Sequence, residues 1–436
     1  MKRAWVLATC ALFLLLCSSP VFASGFAINE HGTKAVGMGG AFVAQADDPS
    51  AVYFNPAGII QLNGTQVMAG FAIIMPNAAF ESNGTSIFGT TGRKTDVEDQ
   101  TFFIPNFFLT HKINDKWSFG MGGFSNFGLT TEWPGTWEGR YITGATKAEV
   151  VTLTLNPVVA FRPIKRLSIS FGLLYQYLDV ELNNKVFTDF TGQGFPDADS
   201  TLTGDNWELG WNMGVLFWAT DALRFGLSYR PEVSHTVDGT VSVTGTPGGA
   251  ADFSVDAKAD LNLPQVLYLG MAYTWNAWTF EVDGQWTDWS SYDKLEARTE
   301  GGGILASSSK NWNDVWAYRF GVNYKINEEF DVRGGMVFDE APMPSDTFDP
   351  LLPSGDRILY TLGGSWRRGN FKLDLAYNYL QDDGGTFNND VGNYDVDFAT
   401  QAGLPTPFPP GTFGNVTGEF NDVSAHIVML NASYRF

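Results

Sequence analysis

Cysteine, histidine and positive charge are scarce in this chain. Its 436 residues include two Cys, four His, and 27 Lys and Arg against 47 Asp and Glu, so the formal net charge is −20. Two Cys cannot support a disulfide scaffold or a multi-cysteine zinc site, and we expect neither a metal nor a cofactor. The acidic balance argues against a nucleic-acid partner, because such proteins need a basic face to neutralise phosphates.

The N-terminus has the pattern of a secretory signal peptide. A basic Lys2-Arg3 pair precedes the apolar run Ala4–Cys17, and Val21-Phe22-Ala23 fits the small-x-small cleavage rule. Residues 1–23, which contain both Cys, are therefore predicted to be removed. The alternative is an uncleaved membrane anchor, but the apolar run is too short to span a bilayer comfortably.

Long apolar runs are also missing from the rest of the chain, where apolar residues alternate with polar ones. No stretch after residue 23 approaches 18 continuous apolar residues, which excludes transmembrane helices. The alternation is clearest in residues 167–177, 223–230, 316–324 and 371–379. Successive side chains of a strand face opposite sides, so the mean hydropathy of −0.08 averages an apolar and a polar face. A soluble sandwich also alternates, but these strands reach the roughly ten residues that cross a bilayer.

The connector lengths predict an all-β, transmembrane antiparallel β-barrel of about 14 strands in the outer membrane of a Gram-negative bacterium. Six short turns lie near residues 114–115, 163–165, 221–222, 276–277, 327–329 and 369–370. Longer polar stretches lie near residues 81–98, 131–147, 184–202, 241–253, 293–311, 345–355 and 384–419. An even strand count with short turns at one end is typical of bacterial outer-membrane barrels. The last strand ends on Phe436 and resembles the insertion signal of such barrels, so the barrel-assembly machinery is an expected partner.

Residues 24–62 differ from the barrel wall predicted for residues 63–436. They lack sustained alternation and contain two helix-start patterns, Asp48-Pro49 and Asn55-Pro56. A lumen enclosed by about fourteen strands is too wide for wall side chains to fill, and the apolar residues of this segment argue for burial. These residues are Phe26, Ile28, Val36, Met38, Phe42, Val43, Val52, Tyr53 and Phe54. We therefore predict a plug of short helices inside the lumen rather than a periplasmic tail.

Eight motifs are spread over nearly the whole mature chain. They are Ser24 to Glu30, Gly37 to Ala41, Ala46 to Ser50, Asn55-Pro56-Ala57, Ser125 to Leu129 with Thr131-Glu132, Leu261 to Pro264, Thr287 to Ser290, and Phe338 to Pro342. Together they resemble the FadL family of outer-membrane transporters of long-chain fatty acids, whose TodX-like members carry aromatic hydrocarbons. The resemblance implies a fourteen-stranded barrel closed by an N-terminal hatch. It also implies capture of a hydrophobic molecule among outer loops, binding beside the hatch N-terminus, and sideways release at a kink of the third strand.

Candidate site residues follow from this resemblance and from local pattern. The ligand pocket is expected at Phe26, Ile28 and Phe54, and the hatch anchor at Asn55, Pro56 and Ala57. The lateral opening is expected at Gly123, Ser125, Asn126, Phe127 and Gly128. Glycine in a strand commonly marks a bulge or bend, and the Asn126 side chain is a candidate to bond freed backbone groups. Three residues are unusually apolar for a loop and suggest an outer capture patch: Phe187, Phe190 and Phe195.

The sequence leaves three other functions open. An enzyme would use His31, His111, His235 or His426, but no motif surrounds them, and we expect no catalytic residue. A general porin would lack the plug, and calcium could bind the acidic residues between Asp382 and Asp397. We expect a monomer in contact with outer-membrane lipid that transports long-chain fatty acids, with aromatic or alkane hydrocarbons as the alternative.

Overall fold

A computed structural model describes residues 25–83, 92–142, 144–189, 192–344, 347, 350–388 and 416–436. The predicted signal peptide, Phe190 and the acidic residues from 390 to 397 lie outside the described residues. Among the described residues, no helix is both long and apolar enough to cross a membrane.

Fourteen antiparallel strands form a closed barrel, and seven of them consist of two segments separated by a short interruption. The first seven are β1 (Thr65–Ser82), β2 (Lys94–Asp96 and Phe102–Lys112), β3 (Trp117–Phe124 and Gly128–Glu132), β4 (Lys147–Ile164), β5 (Leu167–Val186), β6 (Ala198–Trp218) and β7 (Leu223–Arg230 and Val233–Thr244). The other seven are β8 (Phe253–Leu263 and Val266–Trp275), β9 (Trp278–Thr287 and Lys294–Thr299), β10 (Ile304–Ser309 and Val315–Lys325), β11 (Phe330–Asp339), β12 (Arg357–Arg368), β13 (Phe371–Asp382 and Gly385–Asn388) and β14 (Thr417–Arg435). Pairing of β14 with β1, from Gln66↔Arg435 to Ser82↔Gly418, closes the barrel and confirms the predicted fold.

Alternation along each strand separates a lipid face from a lumen face. On β5, Phe171 and Leu173 face outward and are 54% and 51% exposed, whereas Ser168 and Gln176 are buried inside. This arrangement is the reverse of a soluble sandwich, where the apolar face would be buried. The outward apolar band is the surface that a bilayer covers.

The six predicted short turns all lie at one end of the barrel, between β2 and β3, β4 and β5, and so on to β12 and β13. One predicted long loop is wrong. Much of residues 293–311 forms a hairpin, with Lys294 opposite Ser309. Its tight turn is held by a bond from the Gly302 N–H to the Thr299 carbonyl (2.9 Å), with Gly302 at a φ of 83°. Lys294–Thr299 alternates, with Ala297 buried and Arg298 exposed, but each strand of the hairpin has only six residues and three glycines lie between the strands, so the segment resembled a polar loop.

The N-terminal segment contains two one-turn helices, α1 (Thr33–Val36) and α2 (Ala51–Phe54), followed by a 3₁₀-helix, Pro56–Gln61. Two further 3₁₀ turns lie at Pro247–Gly249 and Trp289–Ser291. Asn55 caps the 3₁₀-helix as predicted, because its Oδ1 accepts a bond from the Ala57 N–H (3.2 Å). Asp48-Pro49 does not start a helix; α2 begins two residues later, after Ser50. Asp48 instead accepts bonds from the Ser50 N–H and hydroxyl.

This segment, which we call the hatch, fills the lumen. On one side, Val52, Phe54 and Ile59 pack with Phe108, Val158 and other wall residues in an apolar cluster. On the other side, a carboxylate on β9 holds the hatch backbone, because Asp283 accepts bonds from the Phe42 and Val43 N–H groups (2.8 and 3.0 Å).

Wall glycines let the hatch approach closely. A Cβ added to Gly335 would lie 2.3 Å from the Met38 carbonyl carbon, and one added to Gly226 would lie 2.1 Å from the Val43 carbonyl oxygen. Either contact is too short for a real side chain, so larger residues at these positions would displace the hatch.

Candidate functional site

The third strand is interrupted where the sequence predicted a kink. Phe124 pairs with Thr154 of β4, and Gly128 pairs with Val151. Four steps along β3 therefore match three steps along β4, which leaves one extra residue between Phe124 and Gly128. An extra residue of this kind defines a β-bulge, which bends the strand and disrupts its pairing.

The bend opens the wall between β2 and β3. The lower half of β3 pairs with β2 from Lys112↔Ser118 to Phe107↔Gly123. Above that point, Phe102–Asn106 pairs with β1 alone, and Gly128–Glu132 pairs with β4 alone. A bond from the Glu98 N–H to the Glu132 carbonyl (2.9 Å) bounds the opening at its far end. We call this unpaired stretch of wall the window.

The first residues of the hatch occupy the window from inside. Gly25–Ile28, the hatch arm, forms an antiparallel bridge with β3 at Ala27↔Phe127. The Ile28 N–H donates to the Asn126 carbonyl (2.9 Å), and the Gly128 N–H donates to the Phe26 carbonyl (3.0 Å). The arm therefore replaces part of the pairing that β3 loses with β2.

Three further backbone groups of the bend are bonded by side chains. His31 Nε2 donates to the Ser125 carbonyl (2.6 Å). The Thr152 hydroxyl donates to the Phe127 carbonyl (2.6 Å) and accepts from the Phe127 N–H (3.0 Å). The suggested role for the Asn126 side chain stays a prediction, and its Oδ1 has no partner among the described residues. Buried backbone groups need such partners, and Thr152 and His31 supply them.

Phe26 of the hatch arm lies in a box of aromatic rings. Its ring centroid is 4.7 Å from that of Trp289, and Tyr292, Trp312 and Phe127 all lie within 5.9 Å. Trp289 belongs to the 3₁₀ turn that interrupts β9, and this interruption carries it into the lumen, where it is fully buried. The sequence marked Thr287 to Ser290 as one of the family motifs but did not indicate this contact.

A cavity of about 580 Å³ joins the lumen to the outside of the wall through the window. Phe26 and Ile28 line its inner side, so two of the three predicted pocket residues reach it. Phe103, Val151 and Leu153 line its outer side, and these side chains belong to the lipid-facing surface. The lining is largely apolar, which suits a hydrophobic molecule.

A few charged groups lie on the lumen wall of this cavity. Arg357 donates to the Gly25 carbonyl (3.2 Å) and forms an ion pair with Asp339 (3.3 Å). Glu30 of the hatch also lines the cavity. Burial raises the pKa of Glu30, and the Asn29 N–H and the nearby arginines partly oppose this. Burial lowers the pKa of His31, which belongs to the hatch, to about 3 despite its bond to Ser125.

The third predicted pocket residue and the predicted anchor lie deeper in the hatch. Phe54 is buried against Phe42 and Tyr53 and borders neither the large cavity nor a smaller one beside the arm. Asn55 Nδ2 donates to the carbonyls of Val43 (2.8 Å) and Val215 of β6 (3.0 Å). The Ser168 hydroxyl of β5 donates to the Ala57 carbonyl (2.9 Å). Asn55-Pro56-Ala57 therefore joins the hatch to two neighbouring strands.

The remaining candidates lie apart from the window. Phe187 lies just beyond β5 against Tyr141, and Phe195 is 39% exposed in the same connection. Three of the four histidines form hydrogen bonds away from the window: His111 with Thr65, His235 with Gln176 and Asn206, and His426 with Tyr377. In the described part of the chain, none of these bonds joins a His to a serine hydroxyl or a carboxylate.

A closed fourteen-stranded barrel with a lipid-facing apolar band and a lumen filled by its own N-terminus defines the class of plugged outer-membrane barrels. A family model described as outer membrane protein transport protein (OMPP1/FadL/TodX) matches residues 14–436. The chain therefore belongs to this family, which is one of transporters rather than enzymes, and it is a protein of the Gram-negative outer membrane.

Relatives agree with this assignment. The long-chain fatty acid transport protein of Escherichia coli O6:H1 is 24% identical over 414 residues, covering 87% of this chain and 92% of the relative. A Pseudomonas aeruginosa FadL homologue shares the fold with a TM-score of 0.75 and 21% identity, covering 95% of this chain and all of that one. The Pseudomonas putida toluene transporter TodX shares it with a TM-score of 0.68 and 16% identity, covering 96% and 100%.

Proposed function

We propose that this protein takes up hydrophobic compounds, foremost long-chain fatty acids, and releases them sideways into the outer membrane through the window. The observation that carries the proposal is the cavity, whose lining runs from Phe26 of the hatch arm to the lipid-facing Phe103 and Leu153. A molecule following it would pass from the lumen to the bilayer past the hatch arm, without crossing the rest of the hatch.

An apolar route is favourable for such a cargo. Transfer of a hydrocarbon chain out of water is favourable by about 0.8 kcal/mol per CH₂ group. An apolar lining therefore stabilises such a cargo more than a water-filled pore does. Unpaired backbone at membrane depth is tolerated only where it lines a cavity or is covered by protein. The hatch arm, His31 and Thr152 meet that condition while the window is closed.

Release requires the hatch arm to move. Ala27 bridges Phe127 across the window, so the arm lies in the path of a departing molecule. The deeper hatch is tied to the wall at Asn55 and Ala57. We propose that these residues anchor the hatch while the arm detaches and returns.

The cargo is proposed as long-chain fatty acid because the Escherichia coli relative, which matches most of this chain, is named a long-chain fatty acid transport protein. Aromatic hydrocarbons are the alternative, since the toluene transporter TodX has the same fold. Both cargoes need the same apolar cavity, so the test must include both.

The decisive experiment straightens β3. Deleting Asn126 removes the extra residue relative to β4 and should let β3 pair with β2 and close the window. Uptake of labelled oleate and of toluene by cells expressing the variant should then fall to background, while the barrel still shows the heat-dependent gel mobility of folded protein. Deleting Asn55-Pro56-Ala57 should also abolish uptake. The matched control deletes Gly248, one residue in the exposed β7–β8 turn.

Wild-type uptake in both wall and hatch variants would overturn lateral release. A large steady conductance of the wild-type protein in planar bilayers would instead identify a general porin.

Two partner interactions are proposed besides the cargo. The exposed terminal Phe436 is the contact for barrel-assembly machinery, and the outward apolar band contacts lipid around a monomer.

A further inference from the structure

We propose that one part of the periplasmic rim of the barrel binds the head group of an anionic phospholipid from the inner leaflet of the outer membrane. This part, the basic rim, consists of residues 112–117, which join β2 to β3, and residues 162–167, which join β4 to β5. Short turns of bacterial outer-membrane barrels face the periplasm. The inference goes beyond the proposed transport and does not depend on which cargo is carried.

Positive charge is concentrated at the basic rim, although the chain as a whole is acidic. The full chain has 27 Lys and Arg against 47 Asp and Glu. The two stretches of the rim contain one acid, Asp115, and a set of cations: Lys112, Lys116, Arg162, Lys165 and Arg166. An acidic protein therefore presents a cationic patch at this place on its periplasmic end, where phosphates of the surrounding leaflet are the available anions.

Backbone bonds hold the two turns of the basic rim side by side. The Arg162 N–H donates to the Lys116 carbonyl (2.8 Å), so the second turn lies directly beside the first. The Arg166 side chain donates to the Ala219 carbonyl (2.7 Å) and lies 3.6 Å from the carboxylate of Asp221, in the next turn along the rim. Cations from separate turns therefore form one continuous patch.

Two cations of the patch, Lys116 and Lys165, are exposed, and their side chains have no hydrogen-bond or ion-pair partner among the described residues. Lys112 is paired with Asp115 (3.1 Å), but this carboxylate is 96% exposed. Water and salt weaken such a pair, so it neutralises the patch only in part. The charges of Lys116 and Lys165 are left for an anion from outside the protein.

Large apolar side chains beside the cations fix the depth of the basic rim in the membrane. The rings of Trp117 and Phe161 have centroids 4.4 Å apart, and Trp117 is 42% exposed. Ile113 and Ile164 are exposed on the same two turns. Tryptophan is enriched at the head-group level of a membrane, and Lys and Arg near that level attract anionic lipids. The anion at this depth is therefore a phospholipid head group rather than a soluble phosphate.

The basic rim lies below the window on the same pair of strands. Pairing of β2 with β3 runs from Lys112↔Ser118 to Phe107↔Gly123, above which the window opens. Five strand residues span about 17 Å, which is about 13 Å of depth at the usual strand tilt. Half of a hydrocarbon core is about 15 Å thick. The acyl chains of a lipid held at the rim would therefore end beside the lower edge of the window, where a departing molecule meets the bilayer.

The test compares dioleoyl phosphatidylglycerol with dioleoyl phosphatidylcholine, which share their acyl chains and differ in head-group charge. Binding of each lipid to the full-length protein in a neutral detergent is measured by native mass spectrometry. Each cation should contribute about fivefold to the preference for phosphatidylglycerol. Lys116→Gln combined with Lys165→Gln should therefore lower this preference about 25-fold. Replacing both lysines by arginine should keep it.

Lys325→Gln is the matched control, because Lys325 lies at the same end of the barrel in a turn that is acidic. Its side chain pairs with Glu328 (2.7 Å), and Glu329 follows. This substitution removes the same charge and should leave the affinities for both lipids unchanged. A further arm adds glycerol 3-phosphate, which carries a phosphate without acyl chains and should not displace phosphatidylglycerol at equal concentration.

Equal affinity of the wild-type protein for the two lipids, or an unchanged preference in the double lysine variant, would overturn the proposal. An equal loss in Lys325→Gln would also overturn it, because the attraction would then come from the charge of the whole protein. Displacement by glycerol 3-phosphate would instead identify a site for soluble phosphate and refute the lipid site. None of these results bears on uptake of the cargo, so the proposed transport function is tested separately.

Discussion

A reversible lock between the hatch arm and β3 tests whether the arm must leave the window. Ala27 and Phe127 are directly opposite, and the flanking bonds run from Ile28 to Asn126 and from Gly128 to Phe26. This pattern marks a non-hydrogen-bonded pair, whose Cα atoms are about 4.5 Å apart. A disulfide needs a Cα separation of about 4.4–6.8 Å. Combining Ala27→Cys with Phe127→Cys should therefore form one, and both native Cys lie in the predicted leader.

The expected effect follows from what holds the arm. Two backbone hydrogen bonds contribute about 1 kcal/mol each, and burial of the Phe26 ring adds about 2 kcal/mol. The sum, about 4 kcal/mol, implies that the arm is detached about one part in a thousand of the time. Transport through this rare state should stop when the disulfide forms and return when it is reduced.

The assay measures initial uptake of labelled oleate by cells treated with oxidant and then with reductant. A gel-mobility shift under non-reducing conditions confirms the crosslink, and the two single-Cys variants show any effect of the reagents themselves. Wild-type uptake by the fully crosslinked variant would refute the reasoning, because the cargo would then leave without displacing the arm.

Two further substitutions change Thr152 and His31, whose side chains bond the backbone of the bend. Thr152→Val removes both bonds to Phe127 and leaves its backbone groups unpaired, at a cost of about 1–3 kcal/mol; it should speed thiol labelling of an Ala27→Cys variant at least several-fold. Thr154→Val, which loses a bond from Gln176 on the same face, should not do so, and equal rates in the two would contradict the role of Thr152. His31 has a pKa of about 3 when docked, against an ordinary 6.5, because burial and then the charge of Arg230 disfavour its cation. If His31 leaves Ser125 together with the arm, the detached state binds the proton preferentially, so docking is fully stable above about pH 6.5 and weakens as pH falls toward 3. The ratio of wild-type to His31→Gln uptake should rise about tenfold from pH 7.5 to pH 5.5, and a flat ratio would exclude this coupling.

Much of the barrel could be predicted from the sequence, because strand alternation and turn residues are local features. Alternation in residues 167–177 predicts which side chains face lipid, and tight turns such as Gly369-Asn370 predict where strands reverse. The hairpin within residues 293–311 was missed although Lys294–Thr299 alternates, because its two strands have only six residues each and are separated by three glycines.

The site was predictable only in part. The glycines on either side of Asn126 suggested a bend, and resemblance suggested that Phe26 lies near a ligand. The partners that hold the bend come from positions far away in sequence, since Thr152 reaches Phe127 from the next strand and His31 reaches Ser125 from the hatch. No local sequence pattern indicates that a threonine on β4 bonds the backbone groups at the interruption of β3.

The sequence by itself determined an exported, thiol-poor barrel with a plugged lumen, because export signals, strand period and turn spacing are properties of neighbouring residues. Tertiary structure alone decided where the wall opens and what closes it. These features depend on register between strands and on contacts over 94 or more residues, such as His31 with Ser125. Closing the barrel brings such positions together, and only then do their hydrogen bonds and charges acquire partners or lack them.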